Sequence, residues 1–349
     1  MIRRLSAFVL FLACAGHVFG YGNAGHQTIG TIAEKYLEGS RALEEVRKLL
    51  HKDEGLDRAA TWMDRAKLPD KYLTNEMKDL VANNPDSHSF HYCDVPFQQK
   101  VYRDGATGTN AHDIVHVMEI CIKVLQAPDD NGDNPLKIHK RVALMMLAHL
   151  VGDLHQPLHV GCSYVDADNH FVDPDTGAKG QEDAGGNYFH IKQRKGIALH
   201  GYWDTQTVKM ARDHLLKKIP PTEDSAPEEP ASKDPAVEVA AVRDFSTALM
   251  KAHPRQSEWI GKGPVDTWPV QWATESIVLS KICFECITPS DRFLVPKDDK
   301  HPDREEHFEW VITLPSDYPV KSRDVVEVEL SKAGYRLAAL LKTIWPDKK

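Results

Sequence analysis

Three observations predict a mainly α-helical, single-domain fold with little β structure. Apolar residues recur at helical spacing through most of the chain. Strand-like runs are confined to residues 90–95 and 309–314. Two segments, HLVGD at 149–153 and HGYWD at 200–204, set a histidine and an aspartate four residues apart, on one face of a helix.

In chain order, residues 1–20 read as a secretory signal peptide. Arg3 and Arg4 supply the charged start, Leu5 to Ala15 the apolar run, and Val18-Phe19-Gly20 the small residues of a cleavage site. An apolar run of about 11 residues is too short for a bilayer, which needs about 20. No later segment is long and apolar enough either, so no stable membrane insertion is expected. The mature chain, 21–349, would start at Tyr21 and work in a periplasm or outside the cell. The alternative is a lipoprotein signal with Cys14 lipidated, which Phe11 and Leu12 fit poorly.

The spacing predicts helices over 24–38, 40–51, 56–66, 111–127, 136–155, 202–217, 236–252, 267–286 and 324–345. The last is amphipathic and should pack on the body. Pro157 should end the 136–155 helix soon after Asp153, letting His159 turn back towards the same cavity. Two insertions interrupt the helices. Residues 161–186 follow His159 directly, end before Asn187 and read as a hairpin-like rim, because their aspartates lack calcium-loop spacing. Residues 219–235, rich in Pro, Glu and Ser, read as a solvated loop.

Without Arg3 and Arg4 the formal charge is −10, from 41 basic and 51 acidic side chains. Such a chain is a poor non-specific DNA binder, since phosphate affinity normally comes from lysine and arginine. A phosphate-ester substrate would need metal ions to supply the positive potential. Five cysteines remain after residue 20: Cys93, Cys121, Cys162, Cys283 and Cys286. An odd number leaves at least one thiol unpaired. Cys283 and Cys286 stand in a helical run without a second such pair, and read as buried thiols or a local disulfide.

The donors point to metal. A free amine at Tyr21, with a pKa near 8, would be followed by His26 at the start of a helix, Asp64 within a helix and His91 on a short extended run. Singly, each is an ordinary packed or surface side chain. Together with His149, Asp153, His159, His200 and Asp204 they form a nitrogen and carboxylate donor set of the kind that binds zinc. Two pairs and a returning histidine suggest more than one metal.

The motif order is G-H near the mature start, W-x-D, H-Y/F-x-D, H-x3-D-x-H/T-Q-P-L-H, G-G-N and H-x3-D-T. It resembles the class I, single-strand-specific zinc nucleases, or 3′-nucleotidases, which share a helical fold with zinc-dependent phospholipases C. The resemblance runs from Tyr21 to about Thr205, and W-A-x-E-S at 272–276 and the terminal helix also fit. It implies a phospholipase C/nuclease-like fold with a tri-zinc cleft, acting as a monomer on single-stranded DNA, RNA or 3′-nucleotides and leaving 5′-phosphates. One zinc would take Asp64, His91, His149 and Asp153. The second would take His26, the amine and carbonyl of Tyr21 and the other oxygen of Asp153. The third would take His159, His200 and Asp204. Lys67 and Asn187 would stabilise charge on the phosphoryl oxygens, Asp94 would orient the attacking water, and Tyr92 would stack on a base or merely fill the rim. Tyr21 departs from the family's usual tryptophan, but its ligand atoms are backbone. Two rivals remain. A phospholipase C of this fold typically closes its last motif as H-x3-E, where this chain has Asp204. A non-catalytic zinc carrier usually shows dense histidine tracts, and here the histidines are dispersed.

Overall fold

Helix α1 (Gly22–Leu37) turns Ile29, Ile32, Ala33 and Leu37 inward against α12 (Tyr318–Ile344), the longest helix described. Gly334 permits the close approach, because a Cβ there would stand 2.5 Å from Ile32 Cγ2. Between and around them lie α2 (Arg41–Leu49), α6 (Ile114–Gln126), α7 (Lys140–Leu154), α9 (Thr207–Leu215), α10 (Pro235–Ala252) and α11 (Trp268–Phe284). The computed structural model describes residues 21–217, 235–297 and 305–348. The readings for the signal peptide, Cys14 and residues 219–234 lie outside the described residues. Helix α7 is the centre: every residue from Val142 to Leu154 is buried, as expected of a helix enclosed on all sides.

Helix starts follow their caps. Ser40 accepts from the Leu43 amide at α2, and Asp113 from the Val115 and His116 amides at α6. Asp113 therefore delays the start expected at 111. The 136–155 helix begins only at Lys140, because Lys137 adopts φ +53° in the preceding loop. The 56–66 helix breaks into α3 (Leu56–Ala59) and α4 (Trp62–Ala66). At the break the Thr61 hydroxyl bonds to the Arg58 carbonyl, and the Ala60 carbonyl leaves the helical ladder. Helix α5 (Asn75–Asn83), capped by Thr74, was not anticipated, since only Met77 and Leu80 are buried in it. The 202–217 helix starts as a short turn, α8 (Leu199–Gly201), widens into a π-helical turn over Tyr202–Gln206, and continues as α9. Helix α12 starts six residues before the expected 324, with Pro319 in its first turn.

The extended run expected over 90–95 is mostly absent. Ser87–Ser89 form a 3-10 turn, and only Val95–Pro96 (β1) is a strand, parallel to Gly161–Cys162 (β2). His91 and Tyr92 thus sit in a turn, held because the Cys93 amide donates to the His159 carbonyl at 3.0 Å. The 161–186 insertion forms β3 (Tyr164–Val165), β4 (Phe171–Val172) and β5 (Gln181–Glu182), an antiparallel sheet of order β4-β3-β5 where a hairpin was expected. A second sheet joins β6 (Phe189–Ile191), β8 (His307–Ile312) and β7 (Ser290–Val295) in the order β6-β8-β7, β6 parallel and β7 antiparallel to β8. Strand β8 replaces the expected 309–314. Strand β7 was missed because Asp291, at φ +45°, shifts its register and spoils the alternation. All five cysteines after residue 20 are free thiols, four buried and Cys286 exposed.

Candidate metal centre

Three groups of His and Asp side chains meet in the interior: His26 with His149 and Asp153, Asp64 with His91 and His149, and His159 with His200 and Asp204. Helix α7 contributes His149 and Asp153, one turn apart and fully buried. The Asp153 carboxylate divides its oxygens. Oδ1 faces His26 Nε2 at 3.2 Å, while Oδ2 lies 2.9 Å from both His91 Nδ1 and His149 Nε2. Asp64 Oδ1 is 3.7 Å from His149 Nε2 and 4.0 Å from His91 Nδ1. The first two groups share His149, and Asp153, expected as the bridge, also reaches the second group through the Oδ2 contact with His91. His26 fits beside α7 only because residue 152 is glycine: a Cβ on Gly152 would stand 2.7 Å from His26 Nδ1.

The third group forms as Pro157 dictates. Helix α7 stops at Leu154, and a 3-10 turn over Pro157–His159 brings His159 Nε2 to 3.2 Å from His200 Nε2. His200 Nε2 lies 3.4 Å from Asp204 Oδ2 across the π-helical turn, a distortion that recurs at functional sites. Gly185, at φ +59°, presents its carbonyl to His200 Nδ1 at 2.8 Å.

Backbone carbonyls select the tautomers. His149 Nδ1 donates to Ala60, His159 Nδ1 to His91 and His200 Nδ1 to Gly185. Each imidazole thereby turns a bare Nε2 lone pair into the site, the arrangement typical of metal-ligating histidine. Burial lowers the pKa of His26 and His159, and holds His91 and His200 at about 3, the latter two helped by Lys67 and His159 respectively. Neutral imidazole is the metal-binding form. The pKa of His149 goes the other way: burial would lower it, but Asp153 and then Asp64 raise it. Burial alone would raise Asp153, but the charge of His149 holds it well below the carboxylate range. Burial pushes Asp204 up instead, so that pocket favours an added positive charge.

These residues fit bound cations. His26 Nδ1 and Nε2, Asp64 Oδ2 and Asp153 Oδ1 are buried without a hydrogen-bond partner, which is costly unless a ligand satisfies them. Nitrogen lone pairs face each other at 3.0 Å (His91 with His149) and 3.2 Å (His159 with His200). Tetrahedral coordination at about 2.05 Å from the ion sets donors about 3.3 Å apart.

The other expected residues are placed unequally. Lys67 Nζ contacts Asp64 Oδ1 at 3.1 Å. Tyr21 is buried at the start of α1, and its hydroxyl donates to the His155 carbonyl at 2.6 Å. Asn187 sits on the Gly185-Gly186 turn that also holds His200, and its amide donates to the Ala184 carbonyl. Tyr92 is half-buried beside His91. No hydrogen bond or ion pair described joins the Asp94 side chain to the three groups. Burial, then Glu182 and Asp183, raises its pKa well above the usual range. His155 faces elsewhere, with Nε2 on Arg336 and Nδ1 on the Val151 carbonyl.

Sequence reasoning missed Gln156. It is fully buried, its Nε2 donates to Asp204 Oδ1 at 2.7 Å, and its Oε1 accepts from the Leu158 amide. The Q-P-L-H run carried that signal. It also missed the Arg336–Glu275 pair, at 2.7 Å, which joins α12 to the glutamate of W-A-x-E-S.

Residues 21–346 match the S1/P1 nuclease family model. Endonuclease 4 of Arabidopsis thaliana is 25% identical over 94% of this chain and 90% of its own. Nuclease S1 of Aspergillus oryzae is 26% identical over 99% of this chain and 98% of its own. Among the described residues no helix is long and apolar enough to cross a membrane. The family match decides for the nuclease reading over the phospholipase and carrier readings. With three metal-capable groups behind that match, the chain belongs to the S1/P1 nuclease family and is a hydrolase of single-stranded nucleic acid.

Proposed function

We propose that this nuclease is a secreted three-zinc phosphodiesterase that cuts single-stranded DNA and RNA to 5′-phosphate products and also accepts 3′-nucleotides. The observation that carries the zinc reading is the set of buried, unpartnered donors on His26, Asp64 and Asp153. Asp64, His91, His149 and Asp153 would hold one ion. His26, Asp153 and the amine and carbonyl of Tyr21 would hold the second, and His159, His200 and Asp204 the third. Bound there, zinc supplies Lewis acidity, acidifying water and neutralising phosphate charge.

The chain's own groups then position and select. Lys67, beside Asp64, brings an ammonium to the phosphoryl oxygens, and Asn187 an amide donor, where charge develops in the transition state. Tyr92 stacks on an unpaired base, which a duplex does not offer. Asp94 orients the attacking water, and Asp94→Asn should then lower kcat at least tenfold with metal content unchanged. Cleavage after Gly20 would free the Tyr21 amine. A monomer suffices, since every ligand comes from one chain.

The test is hydrolysis of single-stranded DNA, duplex DNA, RNA and 3′-AMP by the purified protein, with intact mass to fix its first residue. Single strands should be cut at least tenfold faster than duplex, with phosphate on the 5′ ends. Equal rates on duplex, or 3′-phosphate ends, would overturn the proposal.

A further inference from the structure

A second feature touches the metal centre from the other side of His91. Helices α4 and α5, with the turns that follow them, line a cavity of ≈ 400 Å³ whose wall includes Met63, Leu68, Leu73, Val81, Lys67 and His91. We infer that this cavity is a base pocket: it takes an unstacked nucleobase of the strand next to the scissile phosphate. The inference rests on the nuclease reading above.

Continuity names the occupant. His91 ligates in the metal centre and Lys67 contacts Asp64 there, yet both also line the cavity. A strand with its scissile phosphate beside Lys67 therefore leaves a neighbouring nucleotide at the mouth of the cavity. Size agrees, because ≈ 400 Å³ lies within the roughly 300–1,000 Å³ of organic-ligand pockets and a phosphate would leave most of it unfilled. Chemistry agrees too. The face of a base is apolar and polarisable, and suits aliphatic walls and the Met63 thioether. The edge of a base is polar, and exposed His88 stands at the rim. In a duplex both faces of a base are already stacked, so the pocket adds to the preference for single strands. The rings in its wall are the His88 and His91 imidazoles, and contact with the face of a base does not distinguish one base from another, so the pocket should take any base.

Val81 and Leu73 lie on this wall, remote in sequence from the proposed metal ligands, and are only half-buried. Val81→Trp and Leu73→Trp fill the cavity. For each, kcat/KM is measured on a thymidine pentanucleotide and on bis(p-nitrophenyl) phosphate, a diester with no base, alongside metal content. The ratio of the two should fall at least fivefold, mainly through KM for the oligonucleotide. An unchanged ratio at wild-type metal content overturns the pocket, whereas a wild-type enzyme that cuts neither diester overturns the nuclease reading instead. Should both variants lose metal, the wild type decides. Photo-crosslinking of the holoenzyme to a 5-iodouracil phosphorothioate oligonucleotide should give adducts within residues 63–88. Adducts confined to the Tyr92 region, or cavity protection by dihexanoylphosphatidylcholine but not by the oligonucleotide, would contradict it.

Discussion

His149 and Asp153 were legible in the sequence because helical periodicity alone brings them together. The groups that orient them were not. Ala60, His91 and Gly185 act through backbone carbonyls, which every residue possesses and no residue type advertises. Gln156 is the side chain whose role comes closest to theirs. Its amide donates to Asp204 Oδ1 and opposes, without cancelling, the upward push that burial gives that carboxyl. Gln156→Leu removes that donor at similar volume, and partners of this kind are worth about 10- to 100-fold in metal affinity. Metal analysis after dialysis should show the variant losing one ion per chain, and full retention would refute the role given to Gln156. Gly152→Ala should act on His26, since the new methyl would stand 2.7 Å from its ring. The expected outcome is at least a tenfold loss of kcat with helix content kept, read by circular dichroism. Tyr92 and Asp94 were drawn from resemblance, and their neighbours depend on a turn that local alternation had cast as a strand.

At the scale of elements, helices with long apolar stripes were recognised and short ones were not. Helix α5 escaped notice, and the α3–α4 break could not be foreseen because its partner, His149, lies 89 residues away. Arg141 of α7 holds this corner together. It reaches Glu54 at 2.8 Å, Glu76 of α5 at 3.0 Å and the Leu49 carbonyl at the end of α2 at 3.3 Å. Burial would raise the Glu54 pKa, but the hydrogen bond and charge of Arg141 hold it below its ordinary value. A carboxyl with a depressed folded-state pKa contributes stability that is complete above its unfolded value, about 4.3, and is lost as pH falls through the folded value. Arg141→Met should therefore cost about 1–2 kcal/mol at pH 7. The gap to the wild type should narrow below pH 4, as urea unfolding at the two pH values would reveal. A gap independent of pH would mean that Arg141 acts by packing alone.

Across the whole molecule, the sites are long-range constructions. The first group joins α1 to α7, the second α4 and the turn before β1 to α7, and the third the Pro157 turn to α8 and the π-helical turn after it. The helical class and the donor set were readable because both are written in periodicity and residue type. The sheet that joins β6 to β8 was half readable, since β7 carries no clean alternation. Cations that bind the folded chain and not the unfolded one stabilise it by mass action. Removal of metal should thus lower the melting temperature by several degrees, and a melting temperature unchanged by chelator would show the groups to be structural without metal. The central claim is that these three groups hold the ions that make the chain a nuclease. Its most direct test is to strip the purified protein with a chelator, titrate zinc back and follow bound metal and single-stranded DNA hydrolysis together. Activity should vanish on stripping and return in step with occupancy, reaching its plateau at three ions per chain. Hydrolysis that survives complete stripping, or a plateau at one ion, would contradict the account.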